Sequence, residues 1–212
     1  MILAMYAQFK VQNTFAKYLK VPNRKGYTGV EVARYILDAN GLNDVRIERI
    51  PGALTDHYDP SKRVLRLSEP VYSKSSIASI SVAAHESGHA IQHQQGYFPL
   101  IARNALVPVV NFSAQFTWIL IILGLIMSSG SLINAGIILF SAAVLFQIIT
   151  LPVEFNASHR ALAMLSQSGI ISDDERPKSR AVLSAAALTY VAAAAVSIAQ
   201  LLRLLLIRGN RD

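Results

Sequence analysis

The sequence predicts a mostly α-helical integral membrane protein, with a small β-hairpin and about three transmembrane helices around one metal-binding helix. Three observations carry that expectation: long windows without charge, a short segment of alternating apolar and charged residues, and an H-E-x-x-H pattern at His85–His89. Of 212 residues, 52% are hydrophobic, and the mean hydropathy is positive. A soluble domain of this length rarely carries so much apolar surface in so few windows.

The windows come first. From Val107 to Met127 only Pro108, Asn111, Ser113, Gln115 and Thr117 break the apolar run, and none is charged. From Leu132 to Leu151 the strongly polar residues are Asn134 and Gln147. As a helix, each window crosses about 30 Å of hydrocarbon. Ser128-Ser129-Gly130-Ser131 joins them, too short a link for two helices buried inside a soluble protein, so a membrane hairpin is expected. A third window, Ala181 to Ile207, turns from alanine-rich to leucine-rich and carries Arg203 where it can snorkel toward the interface. The resulting division is 1–103 cytoplasmic with the metal-binding helix, 104–151 transmembrane hairpin, 152–180 cytoplasmic, and 181–207 a C-terminal transmembrane helix.

Basic residues set the expected orientation. Arg103, Arg160, Lys178, Arg180 and most other Lys and Arg of the first hundred residues fall on one side of the hairpin, while the Ser-Gly turn has no charge. The positive-inside tendency puts the former in the cytoplasm, giving a multi-pass protein of the inner or plasma membrane whose site faces the cytoplasm. Arg208 and Arg211 run against that bias if the third helix spans. The net charge of +7 comes without the aromatic-basic interleaving of a nucleic-acid module, so no nucleic acid is expected and the lipid bilayer, with its anionic headgroups, is the partner. Cysteine is absent, which removes disulfides and thiolate chemistry. Met1–Ala7 is too short to span and lacks a basic leader; it reads as an interfacial helix or the tail of a longer one.

In the cytoplasmic part, Tyr6, Phe9, Val11, Phe15 and Leu19 recur at helical spacing, for core packing or for lipid contact. Thr28 and Glu31 form a capping box for a helix bearing Val32, Tyr35, Ile36 and Leu37, which stops at Asn40-Gly41. Val45–Ile50 alternates as a half-buried strand and Pro51-Gly52 ends it; Val64–Leu67 is a second strand, with the turn-rich Thr55–Pro60 between them. The strand before the metal-binding helix either offers a free edge to an extended peptide or is ordinary scaffold.

Ser75 or Ser76 caps a helix running through about Gln95, with Gly96 beyond it. His85 and His89 lie one turn apart on one face and can both ligate a Zn2+ ion, and Glu86 beside them is placed to act as general base toward a zinc-activated water. His93 continues the series, but about 12 Å of rise separates it from His85, against zinc–ligand bonds of about 2 Å. It therefore belongs to the surroundings of the site, to the cleft rim, or to an ordinary polar face. Gln92 and Gln95 occupy the Gly and final His positions of the longer H-E-x-x-H-x-x-G-x-x-H pattern. A third ligand must come from elsewhere. Glu154 is the leading candidate, at the return of the second membrane helix to the side from which the first departs; His159 competes, and a headgroup-level pair of Glu154 with Arg160 is the alternative. His57, Tyr58, His159 and Arg160 are candidate oxyanion donors.

The chemistry that follows is zinc-dependent endopeptidase hydrolysis, of peptides or membrane-protein substrates; the competing class is a non-catalytic membrane scaffold or adaptor with a structural metal site. Ala84–His93, Gly52–Pro60 and Leu151–Phe155 together resemble the YugP-like neutral zinc metallopeptidases of bacteria, over essentially the whole chain. That resemblance implies a membrane protease and leaves its substrate, any regulatory membrane partner and homo-oligomer formation unspecified. More distantly, the chain resembles the HtpX and CAAX-processing membrane metallopeptidases, whose Glu-Phe-x-Ala-Asp block implies Glu154 as third ligand. Ser158 stands at their Asp and His159 at their usual Arg, which leaves the support of the zinc-binding histidines open. The resemblance also implies a spanning helix at the start of the chain, which this sequence does not show.

Overall fold

A computed structural model describes residues 2–209 as seven helices and three strands among the described residues. The chain divides into two compact units, one built from residues 5–97 and 154–189, the other from residues 98–153 with both ends of the chain.

The first unit takes in α1 (Ile2–Leu19) from residue 5 onward. Phe15 is buried in the core, whereas Tyr6 and Phe9 are exposed. The capping box forms as expected at α2 (Gly29–Ala39): Thr28 accepts from the Glu31 amide, and the Glu31 carboxylate accepts from the Thr28 amide at 2.8 Å. Asn40 closes the helix and Gly41, at φ 72°, supplies the left-handed turn that other residues resist.

The strands are β1 (Arg46–Ile50), β2 (His57–Asp59) and β3 (Val64–Ser68), in the order β1-β3-β2. This corrects the expected pairing. β1 and β3 run parallel, and the hairpin is β2 with β3, so part of the turn-rich segment is itself a strand. Parallel neighbours need a crossover of about a dozen residues, and residues 51–63 provide one while adding β2 on the way. β3 is therefore central and pairs on both sides, and the two edge strands are β1 and β2. Its Val64, Leu65 and Leu67 are fully buried, the near-continuous apolar pattern of an interior strand. Arg66 points out and bridges Glu48 of β1 at 3.1 Å and Asp59 of β2 at 3.0 Å.

After the short α3 (Glu69–Ser73), α4 (Ile77–Gln94) starts at Ser76, whose hydroxyl accepts from the Ser79 amide at 3.1 Å, and ends before Gly96 at φ 62°. The core of this unit joins Ile36 and Leu37 of α2, Leu65 and Leu67 of β3, Ile80 and Ile91 of α4, and Ala161 and Leu165 further along the chain. Full burial of each large aliphatic side chain contributes about 1.5–3 kcal/mol.

The second unit holds all of α5 (Phe98–Ile126) and parts of α6 (Gly130–Gln167) and α7 (Arg176–Gly209). All three helices are long and apolar enough to cross a membrane, as the windows predict. α6 continues through Pro152 without a break. Gly124 and Gly136 let α5 and α6 approach: a Cβ on Gly124 would lie 2.8 Å from the Ile133 nitrogen, and one on Gly136 3.1 Å from the Thr117 carbonyl oxygen. Polar residues in the apolar windows bond back to their own helix, Ser113 to Val109 and Thr150 to Phe146, each at 2.8 Å. Phe112, Trp118, Ile122 and Ile138 stay exposed, as side chains facing lipid do. Arg208 lies in the last turn of α7, and Arg211 lies outside the described residues.

Candidate metal centre

The site forms where α4 and the 154–167 part of α6 touch. Gly88 makes the approach possible, because a Cβ there would stand 3.0 Å from the Ala157 carbonyl oxygen and 3.3 Å from its Cα. Backbone meets backbone at that point, and nearby side chains of the two helices are brought face to face. His85 and His89 project from α4 toward Glu154, and one donor atom from each of the three lies within 4.8 Å of the other two.

The spacing fits a metal ion. Glu154 Oε2 is 3.3 Å from His85 Nε2 and 3.7 Å from His89 Nε2. Two donors on a tetrahedral zinc ion, each about 2.0–2.1 Å from it, stand roughly 3.3 Å apart. Two imidazoles and one carboxylate also form a donor set that leaves a fourth position open. The group is sheltered, with side-chain exposures of 11% for each histidine and 4% for Glu154. Burial works against charge on His89, but the Glu154 carboxylate beside it and the charge of Glu86 outweigh it and raise the imidazole above its ordinary value.

Glu86, 8% exposed, sits beside these ligands on α4. Its charge also reaches Asp56, whose carboxyl accepts from the Ser68 amide at 2.7 Å and hydroxyl at 3.0 Å, pinning the loop before β2. Burial, and secondarily the Glu86 charge, push the Asp56 carboxyl up despite those bonds.

The other candidate residues fall in different places. His93 is one turn past His89, outside the donor group, and its Nδ1 lies 2.9 Å from the Tyr58 hydroxyl. His57 is exposed on β2, held between the Thr55 carbonyl and Arg66. His159 is exposed on α6, lines a cavity of about 140 Å³ together with Arg180, and is not in the donor group. Arg160 donates to Asn156 rather than to Glu154.

Three residues carry roles that the sequence did not assign. Ser158 Oγ lies 3.2 Å from His85 Nδ1, so the serine meets the histidine across the two helices. Gln92 Oε1 lies 3.0 Å from His89 Nδ1, and Gln92 Nε2 donates to Asn156 Oδ1 at 2.9 Å. The position of Gln92 three residues after His89 was the available signal for the first contact. Asn156 is 64 residues from Gln92, and no local spacing announces that pair.

The comparisons with known proteins agree with this geometry. A family model described as "Putative neutral zinc metallopeptidase" matches residues 1–209. The protein named "Putative membrane protease YugP" from Bacillus subtilis (strain 168) is 56% identical over 208 residues, covering 98% of this chain and 92% of that protein. No solved structure matches. With a two-histidine, one-glutamate cluster and a family match along nearly its full length, the chain belongs to the neutral zinc metallopeptidase family.

Proposed function

We propose that the protein is a membrane-embedded zinc-dependent endopeptidase acting on membrane proteins or peptides at the cytoplasmic face. The observation that carries this reading is the convergence of His85, His89 and Glu154 with the buried Glu86 beside them. His85, His89 and Glu154 are the residues that would hold the metal. Zinc, when bound there, supplies Lewis-acid polarisation of the scissile carbonyl and of the attacking water. Glu86 accepts the proton released as the water attacks, and then delivers it to the nitrogen of the leaving amine as the C–N bond breaks. Tyr58 and His93, hydrogen-bonded to each other next to this face of α4, supply the donor to the developing oxyanion. An extended substrate adds to the free edge of β2, so that backbone hydrogen bonds hold it with little demand on its side chains.

The test compares wild type with Glu86→Gln in detergent, measuring zinc content and cleavage of a panel of peptides and unfolded membrane proteins. We expect equal zinc in both and a loss of cleavage of about 10²–10⁴-fold in the variant. Wild type that binds zinc yet cleaves nothing, or a variant that cleaves as fast as wild type, would replace the enzyme with a scaffold.

A further inference from the structure

The hydrogen bonds behind His89 form a chain whose polarity is set at its far end. Arg160 Nε lies 2.7 Å from Asn156 Oδ1. A guanidinium has donors and no acceptor, so the asparagine atom that faces it must be the carbonyl oxygen. That same oxygen faces the Gln92 side chain at 2.9 Å, which obliges Gln92 to present its NH2 group there. The Gln92 carbonyl oxygen is then left for His89 Nδ1, 3.0 Å away. An amide oxygen only accepts, so the hydrogen is on Nδ1, and Nε2 turns its lone pair toward the space shared with Glu154.

We infer that Arg160 is a positioning residue: acting through Asn156 and Gln92, it fixes the tautomer and ring orientation in which His89 can bind zinc. Gln92 is fully buried, which protects the middle of the chain from exchange with water. A guanidinium offers donors and no acceptor, so the order of donors and acceptors along the chain has one direction. His85 is held differently. Its partner is the Ser158 hydroxyl, which can rotate to donate or to accept, so the two zinc-binding histidines are secured unequally.

The inference rests on the zinc-site reading above, and two readouts on the detergent-purified full chain separate its failure from the failure of that reading. Zinc affinity is measured by competition with a chromophoric chelator, and the visible spectrum of the cobalt-loaded protein reports ligand geometry. Gln92→Leu and Arg160→Gln should weaken zinc by about 10–100-fold and alter the cobalt bands, while Asn156→Asp, which keeps an acceptor for both donors, should behave as wild type. The second readout needs no metal: in a Glu154→Ala background, which removes the carboxylate that competes for hydrogen at Nε2, ring-nitrogen chemical shifts of His89, at a pH that leaves the ring neutral, should show hydrogen on Nδ1, and a tautomer mixture once Arg160→Gln is added. Unchanged zinc affinity and cobalt bands in both weakened variants, or an unchanged tautomer in Arg160→Gln, would overturn the inference. Absence of zinc from the wild type would sink the peptidase reading, and the tautomer measurement would still decide the chain. Arg160 is only half-buried, so its replacement keeps the test open even if Gln92→Leu fails to fold.

Discussion

Glu154 supplies the oxygen of the donor group and the one donor that does not come from α4. With alanine there, two imidazoles one turn apart remain, too few for a closed zinc site. Zinc content of purified Glu154→Ala, by elemental analysis before and after chelator treatment, should fall from about one per chain to a small fraction of that. Retention of wild-type zinc would move the third ligand elsewhere. A second residue-scale expectation concerns acid. The hydrogen bond from Arg66, and then the Lys62 amide, holds the Asp59 carboxyl below its usual range. The folded protein therefore sheds this proton more readily than the unfolded chain. Its stabilising effect is present above about pH 3.9, the value for an unfolded aspartate, and is lost as pH falls through the lower folded value. Melting temperatures of Asp59→Asn should decline less steeply with acid than those of wild type, and parallel curves would exclude this pair as a contributor.

At the scale of elements, the site depends on how closely α4 and α6 pack. Gly88→Ala adds one methyl group at a contact whose partner is the Ala157 backbone, which cannot turn aside as a side chain could. The helices must separate or tilt, at a cost of about 1–3 kcal/mol. A lowered melting temperature together with weakened zinc binding is the expected result; wild-type values for both would mean that the contact yields freely. Local signals made α4 legible, because a serine cap, a glycine stop and an i, i+4 histidine pair are set within one helix. The sheet was less legible. Val45–Ile50 and Val64–Leu67 were recognised as strands, but His57–Asp59 is only three residues long and lies in a polar segment, where turn propensity conceals pairing that β3 imposes.

For the molecule as a whole, three helices suited to crossing a membrane make this a multi-pass protein, and its orientation can be measured directly because the chain has no cysteine. Single cysteines at Ser129, in the turn between α5 and α6, and at Asp173, exposed after α6, flank the second apolar helix in sequence. With a membrane-impermeant maleimide, Ser129→Cys should be labelled in intact cells and Asp173→Cys only after permeabilisation. The reverse pattern would put the zinc site on the outer face.

The sequence by itself determined the membrane windows, the helix caps, the paired histidines and the glutamate between them, because hydropathy, capping and one-turn spacing act over a few neighbouring residues. Glu154 was a candidate on its position, with His159 as rival, and only the folded chain brings one of the two into the donor group. The central place of β3, the Ser158–His85 contact across 73 residues and the Gln92–Asn156 bond across 64 were likewise decided by tertiary structure. Such contacts depend on which helix faces meet and how closely, and here that distance is set by a glycine against a backbone carbonyl.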